Sequence, residues 1–407
     1  MMTKVNTLRV LLHGELIGTL SHLPGDKNFF SFSTEYINRQ DRPTVSLSFK
    51  DRFGELITDP QWTQTRLPPF FSNLLPEGYM REYLAKRVGV NDEHEFFLLA
   101  ALGRDLPGAL QVCADHEIPP RQSREIINNT TKSPLQFSLA GIQVKFSATK
   151  TTDKRWTIPV NGVGGSWIIK LPSNNYRGVP ENEYSMMELA RRIGIDVPET
   201  ALISLQQIRG IPEEMGSMGP SAFVIKRFDR GGGGKLIHTE DFAQIFGVYP
   251  EKKYRAASYR NIAEVVWLET GEKGIAEWIR RLVFSILIGN GDMHLKNWSL
   301  IYPNQRTAAL APAYDLVSTI PYLPNESLAL NFLDSKAFDA VTLAQFKRFA
   351  IKTQLPENLV LQTVQQTIQS FADAWHSMTD LPIEGSLKQA IEAHLTTLPL
   401  WKSIAND

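Results

Sequence analysis

The sequence predicts an α+β protein: a small mixed module, then a strand-rich lobe, then a helical lobe. Three observations carry the prediction. Short β-like runs and helical repeats share residues 1–112. Strand-length runs of Val, Ile, Phe and Trp dominate 136–230, a composition that suits pleated, half-buried surfaces. From about 240 onward apolar residues recur every three or four positions, the period of helices that pack on a core. At 407 residues the chain exceeds what one hydrophobic core organises, so two or three units are expected.

In the first module, 1–112, Leu8–Leu12 and Thr44–Phe49 read as strands bounded by turn residues. Glu77–Val88 has helical spacing, with Tyr79, Tyr83 and Leu84 on one side, and Glu93–Leu102 reads as a second helix closed by Gly103. Residues 113–134 hold Pro-Pro and Asn-Asn pairs and few large apolar groups, which marks a linker. The second unit, 135–230, carries expected strands at Phe137–Leu139, Val144–Ser147, Trp156–Ile158, Trp167–Lys170 and Ala222–Phe228, with a helix at Glu181–Ile193. The third, 231–407, carries expected helices at Glu240–Phe246, Ile262–Leu268, Ile275–Ile288, Leu343–Lys352, Glu357–Trp375 and Leu387–His394. A strand-rich lobe followed by a helical lobe is the arrangement of two-lobed protein kinases, which bind nucleotide between the lobes. Fold pattern alone does not establish function.

Apolar residues make up 43% of the chain and charged residues 21%, the range of ordinary globular proteins. Lys+Arg and Asp+Glu are both 43, for a formal charge of zero. A chain with no basic excess is poorly suited to non-specific nucleic-acid binding by itself. The single cysteine, Cys113, excludes an intramolecular disulfide and a Cys-based zinc site and suits a reducing compartment. The first 18 residues lack a signal-peptide pattern. The strongest apolar runs, Phe96–Leu102 and Leu282–Gly289, are far shorter than the roughly 20 residues of a membrane span. The expected location is the cytoplasm, with no membrane partner.

The strongest chemical signal is GNGDMHLKN, Gly289 to Asn297, between an apolar helix and the strand-like WSLIY. Asp292 and Asn297 have the D-x-x-x-x-N spacing of a kinase catalytic loop. An Asp there orients or accepts the proton of the attacking hydroxyl, and an Asn gives a neutral oxygen to a Mg²⁺ on the phosphates. Lys296 lies between them, suited to neutralise γ-phosphate charge. Asp, Asn and Gly also build ordinary turns, so the spacing by itself admits that reading. Asp315, in AYDLVS, stands 18 residues after Asn297, where kinases place a second metal-binding Asp. Alone it reads equally as a buried Asp at a strand end. With Asn297 it gives a two-ligand site, enough for Mg²⁺, which fills its shell with phosphates and water.

Lys170 ends the alternating strand SWIIK, placed to meet α- and β-phosphates or to sit exposed on a sheet edge. A phosphate-binding Lys needs a helix carboxylate to hold it. Glu183 is the first choice, with Glu181 and Glu188 as alternatives, although acidic residues near a helix start also simply complement its dipole. In FSLAGIQVKFSA, Ala140-Gly141 forms the turn of a strand–turn–strand unit. Such a hairpin brings backbone N–H groups close to phosphate oxygens, or is only a hairpin.

Taken in order, SLAGIQVK, IIKLP, ENEY, IKRFDR, GDMHLKN and YDL, with FFSNLLPEG and GRDLPGAL in the first module, resemble the HipA family of serine/threonine kinase toxins. The resemblance covers most of the chain. It implies a two-lobed protein-kinase-like fold with an N-terminal accessory domain, similar to the small subunit that some relatives encode separately. It implies that Ala140, Gly141, Ile142, Gln143, Val144 and Lys145 cradle the phosphates of ATP and that Lys170 contacts them. Lys226, Arg227 and Phe228 would be the hinge that reads adenine. Asp292 would be the catalytic base, with His294, Leu295, Lys296 and Asn297 as its loop. Tyr314 and Asp315 would be the second metal-binding element, so that Asn297 and Asp315 hold Mg²⁺. Ser138 stands where relatives autophosphorylate and silence themselves. The implied partners are a HipB-like helix-turn-helix antitoxin, which would make the DNA contact, and a protein substrate in translation such as an aminoacyl-tRNA synthetase. A small-molecule kinase of the antibiotic-phosphotransferase type and a pseudokinase that binds a repressor are the alternatives.

Overall fold

The chain is described by a computed structural model over residues 6–114, 145–151, 155–158, 165–211, 219–323 and 325–403. Among these residues the strands form three sheets. The first contains β1 (Thr7–Leu12), β2 (Glu15–Leu23), β3 (Lys27–Phe32), β4 (Gln61–Gln64) and β5 (Leu110–Ala114). Their order is β4-β3-β2-β1-β5, antiparallel throughout. Alternation drives it: Leu8, Val10 and Leu12 all point into a core with Phe30, Phe71 and Phe96. The helix Gly78–Val88 stops at Gly89, whose φ of 71° is the left-handed geometry of a helix C-terminus.

Thr44–Phe49 is not a strand. Ser46 Oγ accepts from the Ser48 amide at 3.0 Å and starts a 3-10 turn at Leu47–Phe49. The segment's β-rich composition serves docking on the helical unit instead. The Thr44 amide donates to the Gln305 carbonyl at 2.8 Å, and the Leu47 amide donates to Glu240 at 3.0 Å.

The second sheet contains β6 (Lys145–Lys150), β7 (Trp156–Thr157), β8 (Trp167–Lys170), β9 (Thr200–Ser204), β10 (Ile208–Arg209) and β11 (Ser221–Lys226), in the order β10-β7-β6-β8-β11-β9. Its two faces serve different cores. Phe146, Trp167, Ile169 and Val224 point to one, while Ile168, Phe223 and Ile225 point to the large core of the helical unit. Lys170 follows Ile168 by two and so lies on that second face.

The remaining strands, β12 (His238–Asp241), β13 (Ser299–Tyr302) and β14 (Ala309–Leu310), form a three-stranded sheet on the helical unit. Glu240–Phe246, expected as a helix, is half strand. Asp241 ends β12 and caps the short helix Phe242–Ile245, with Gln244 completing a reciprocal capping box. The two helices expected at 262–268 and 275–288 are both present, end to end within Tyr259–Leu287 and separated by the non-helical Gly271 (φ 64°, ψ −157°). Leu343–Thr353, Glu357–His376 and Gly385–Thr397 complete the bundle. Among the described residues no helix is long and apolar enough to cross a membrane.

Candidate active site

The site lies where the second sheet faces the helical unit. Antiparallel pairing sets Lys145 directly opposite Lys170. Like charges opposed across a ladder are unfavourable, so this face needs an anionic counterpart. Two carboxylates provide part of it. The Lys170 ammonium contacts Glu183 and Asp315 simultaneously and lies 5.6 Å from the Phe223 ring centroid. Glu183 projects from the helix Val179–Arg192, which Gly178 (φ 70°) and Pro180 start and whose buried stripe includes Met186, Met187 and Ala190.

The two carboxylates respond in opposite ways. Burial raises the Glu183 carboxyl to about 7, against the attraction of Lys170. Burial also opposes the Asp315 charge, but Lys170 and then Lys145 outweigh it and hold Asp315 at about 2. Their charge partners differ: Lys145 adds to Lys170 at Asp315, whereas the Asp315 charge itself pushes Glu183 further up. Burial disfavours the Lys170 ammonium as well, yet the two carboxylates overcome it and raise its pKa. Asp315 is thus ionised, and its side chain, 27% exposed to solvent, is open to the cleft.

Asp315 has φ 55°, in the left-handed region, a conformation Asp tolerates better than most residues but one that surrounding contacts must hold. They do so from two sides. Asn290 Nδ2 donates to the Asp315 carbonyl at 3.2 Å. Asn182, one position before Glu183, donates to the Ser318 carbonyl at 2.9 Å and accepts from its amide at 3.2 Å.

Asn290 also organises the turn that carries Asp292. Gly289 ends the long helix with φ 65°, and a side chain there would lie 2.6 Å from Ile320. Asn290 Oδ1 accepts from the Asp292 amide at 2.9 Å, and the Gly291 amide donates to Thr319 Oγ1 at 2.8 Å. Asn297 Nδ2 closes the turn on the Asp292 carbonyl at 2.8 Å, which leaves its oxygen as the atom for other partners.

The Asp292 carboxylate is half exposed and accepts from the Tyr254 hydroxyl at 2.5 Å. Burial moves its pKa upward, with the Tyr254 hydrogen bond and Lys253 opposing. The Tyr254 hydroxyl is pushed up by burial and by Asp292, and so stays a donor. His294 packs edge-on against the Tyr254 ring at 4.8 Å, with Nε2 3.9 Å from Asp292. Burial, then Lys253, lower its pKa to about 3, so the imidazole is neutral. Among the described residues its Nδ1 has no hydrogen-bond partner.

Lys296 turns to the N-terminal unit. Its ammonium donates to the Asn73 carbonyl and Oδ1 at 2.9 and 3.1 Å, and pairs with Glu77 at 3.2 Å and Asp241 at 3.6 Å. The Tyr314 hydroxyl holds the Lys296 carbonyl at 2.8 Å and contacts Ser299 Oγ at 2.6 Å.

The structure therefore brings Lys145, Lys170, Glu183, Asp292, His294, Lys296, Asn297 and Asp315 to one cleft. Glu188 points elsewhere, to Thr200 and Arg191 at 2.6 and 3.3 Å. In the segment 226–228, the Lys226 amide donates to the Glu199 carbonyl at 2.9 Å and the Arg227 amide to the Ser166 carbonyl at 2.8 Å. The Phe228 amide takes part in no such bond among the described residues, and the Phe228 ring leans on Tyr314 at 5.7 Å. The Arg227 side chain binds Asp105 and Asp229 at 3.2 and 2.8 Å. Ser138 and residues 140–144 lie outside the described residues. Sequence reasoning assigned no role to Tyr254, Lys253, Asn73 or Glu77, although Asn73 and Glu77 lie within the FFSNLLPEG stretch.

The donor set suits a small hard cation: Asp315 is an ionised oxygen donor facing the cleft, and Asn297 has a side-chain oxygen to offer. No group of three or more His, Cys, Asp or Glu poised for metal occurs among the described residues. A cation here takes most of its shell from elsewhere, as Mg²⁺ does from phosphates and water.

The chain is similar to known proteins over nearly all of its length. Residues 137–375 match the HipA-like C-terminal domain and residues 8–113 the HipA N-terminal domain. A Sinorhizobium fredii protein, Y4dM, whose name carries the word kinase, is 48% identical over 99% of this chain and 100% of its own. The serine/threonine-protein kinase toxin HipA of Shewanella oneidensis is 24% identical over 91% of this chain and 89% of its own. A solved Shewanella oneidensis complex of HipA, HipB and operator DNA superposes with a TM-score of 0.74 at 21% identity, covering 97% of this chain and 96% of that one.

Proposed function

Starting from a chain that belongs to the HipA family of kinases, we propose that it is an ATP-dependent serine/threonine protein kinase with Asp292 as catalytic base. The observation that carries the reading is the Lys170 ammonium held between Glu183 and Asp315, with Asn290 linking the Asp315 carbonyl to the Asp292 turn. One set of hydrogen bonds thereby fixes the phosphate-binding lysine, the metal-facing carboxylate and the base together.

ATP binds between the second sheet and the helical unit. Lys145 and Lys170 neutralise phosphate oxygens, which removes the repulsion between the two ammonium groups. Residues 140–144 are assigned to the phosphates by their resemblance to the family. Of the hinge residues 226–228, Phe228 is assigned to adenine, because the amides of Lys226 and Arg227 hold the sheet while that of Phe228 makes no backbone hydrogen bond among the described residues. Asn297 and Asp315 would hold a Mg²⁺ ion, which would supply positive charge to offset that building on the phosphates. A serine or threonine hydroxyl takes the place of the Tyr254 hydroxyl on Asp292. Its oxygen attacks the γ-phosphorus, its proton passes to Asp292, and the bond to the bridging oxygen breaks to release ADP. Ionised Asp292 is the competent form, and the neutral His294 beside it neither competes for the proton nor screens the charge.

The wider role follows the family. The chain acts in the cytoplasm as the toxin of a two-component module, binds a HipB-like helix-turn-helix antitoxin that makes the DNA contact, phosphorylates a translation component such as an aminoacyl-tRNA synthetase, and silences itself by phosphorylating Ser138. The test is incubation with γ-labelled ATP and Mg²⁺, alone and with translation proteins, followed by mapping of the label. Label on serine or threonine of protein supports the reading. Label that passes only to small alcohols contradicts it.

A further inference from the structure

Two supports flank Asp292, and both lead to one carboxylate of the N-terminal unit. Glu77 pairs with Lys253 at 2.8 Å and with Lys296 at 3.2 Å. Lys253 precedes Tyr254, whose hydroxyl holds Asp292, and the Lys253 carbonyl accepts from the Leu295 amide at 3.3 Å. Lys296 stands between Asp292 and Asn297 on the turn itself. Glu77 immediately precedes the helix Gly78–Val88 but does not cap it through its side chain. Its carboxylate is turned to the lysines instead. Although burial opposes the charge, Lys296 and Lys253 hold Glu77 down at about 2. Asn73 fixes the same loop to the helical unit, donating to the Pro69 and Val248 carbonyls at 2.9 and 2.7 Å while its own two oxygens accept from Lys296.

We infer that Glu77 is a positioning residue for phosphoryl transfer, so that the N-terminal unit completes the active site of the kinase proposed above. It acts through charge. Without the carboxylate, two ammonium groups that now converge on it repel. The Lys253–Tyr254 backbone and the Lys296 turn then relax on either side of Asp292, and the base loses its alignment. The chain places this control 215 positions before Asp292 in sequence, so any event that lifts the N-terminal loop misaligns the base while leaving Lys170, Glu183 and Asp315 in place.

The experiment uses the full chain with Mg-ATP and a protein acceptor. Glu77→Gln keeps shape and removes charge. It is expected to lower kcat about tenfold, because small misplacements of reacting groups are costly, and to leave the KM for ATP within about twofold, the pattern of an interaction lost in the transition state. Glu77→Asp, which keeps the charge, recovers most of that kcat. The double variant Glu77→Gln with Lys253→Met loses no more than the worse single variant, because the two act as one unit. Wild-type kcat in Glu77→Gln, equal losses in the Gln and Asp variants, or losses that add fully in the double variant each overturn the inference while the kinase reading stands. A wild type that transfers no phosphate overturns that reading, and the inference with it.

Discussion

Two lysines of the cleft, Lys170 and Lys296, are each held by two carboxylates, but the carboxylates have different origins. Those of Lys170 come from the helix Val179–Arg192 and from Asp315, and its side chain is 9% exposed. Those of Lys296 are Asp241 and, from the N-terminal unit, Glu77. The first arrangement is buried and belongs to the cleft. The second is more open, with Glu77 30% exposed, and depends on how a separate unit docks. One lysine is fixed within the cleft, while the other is held in part by the docked N-terminal unit.

Breaking the first arrangement has the largest effect. Lys170→Met leaves Glu183 and Asp315 without the ammonium that bridges them. Removal of one partner from a buried ionic group costs about 3–5 kcal/mol, so denaturant unfolding is expected to show a loss of that order, with labelling from ATP abolished. An unfolding free energy within about 1 kcal/mol of wild type contradicts the buried pairing.

Removing the metal-facing oxygens is the next test. Asn297→Ala and Asp315→Ala are each expected to weaken Mg-ATP binding at least about tenfold, since even residues that only support metal ligands matter by about 10–100-fold. Calorimetric titration with Mg-ATP and with ATP alone isolates the effect. Equal affinity for Mg-ATP in both variants and wild type removes the metal assignment. The proposed phosphorylation of Ser138 gives a further test. It adds about −1.5 to −2 charges at neutral pH that compete for Lys145 and Lys170, so phosphorylated protein is expected to bind ATP more weakly. Phosphopeptide mapping with an activity assay decides this, and full turnover with Ser138 phosphorylated refutes it.

The second arrangement gives the smallest effect, visible in pH. The Glu77 carboxyl is held at about 2, below its ordinary value near 4.5. A lowered carboxyl adds stability that is complete above the ordinary value and is lost as pH falls through the lowered one. Wild type is therefore expected to lose this part of its stability between about pH 4.5 and about pH 2, with Lys253 and Lys296 as the facing charges. Glu77→Gln lacks that contribution, so the difference in melting temperature between the two proteins shrinks over that window. A constant difference across it contradicts the ion-pair account.

The same contrast governs what the sequence reveals. Lys170 is legible because Trp167 and Ile169 alternate into one core, which sends Ile168 and Lys170 to the other face. Glu183 is legible because it sits on the first turns of an amphipathic helix that follows the strand. Asp292, Asn297 and Asp315 are legible by spacing. The role of the Lys296 partners Asn73 and Glu77 is not, although the FFSNLLPEG stretch that holds them is. Asn73 and Glu77 precede Lys296 by more than two hundred residues, and only docking of the N-terminal loop brings them near. Tyr254 escapes for a similar reason, since it lies before the long helix that carries the chain away and back to Asp292. In the fold, Thr44–Phe49 misleads because β-rich residues serve docking on the helical unit. The strand Glu15–Leu23 is hidden because Gly18, Thr19, Ser21 and His22 interrupt its alternation. Gly18 is nonetheless required there, as a side chain would meet the Ser31 carbonyl at 2.3 Å.

The most direct measurement of the central claim is single-turnover transfer from γ-labelled Mg-ATP to protein, compared between wild type and Asp292→Asn at matched, saturating ATP. The substitution keeps the shape of the turn and the backbone contacts to Asn290 and Asn297, while removing the group that accepts the proton. Loss of a positioned base lowers rates by about 10²–10⁴, so the variant is expected to bind ATP as wild type does and to transfer phosphate at a rate lower by that factor. Equal transfer rates in the two proteins would contradict the assignment of Asp292 as the base.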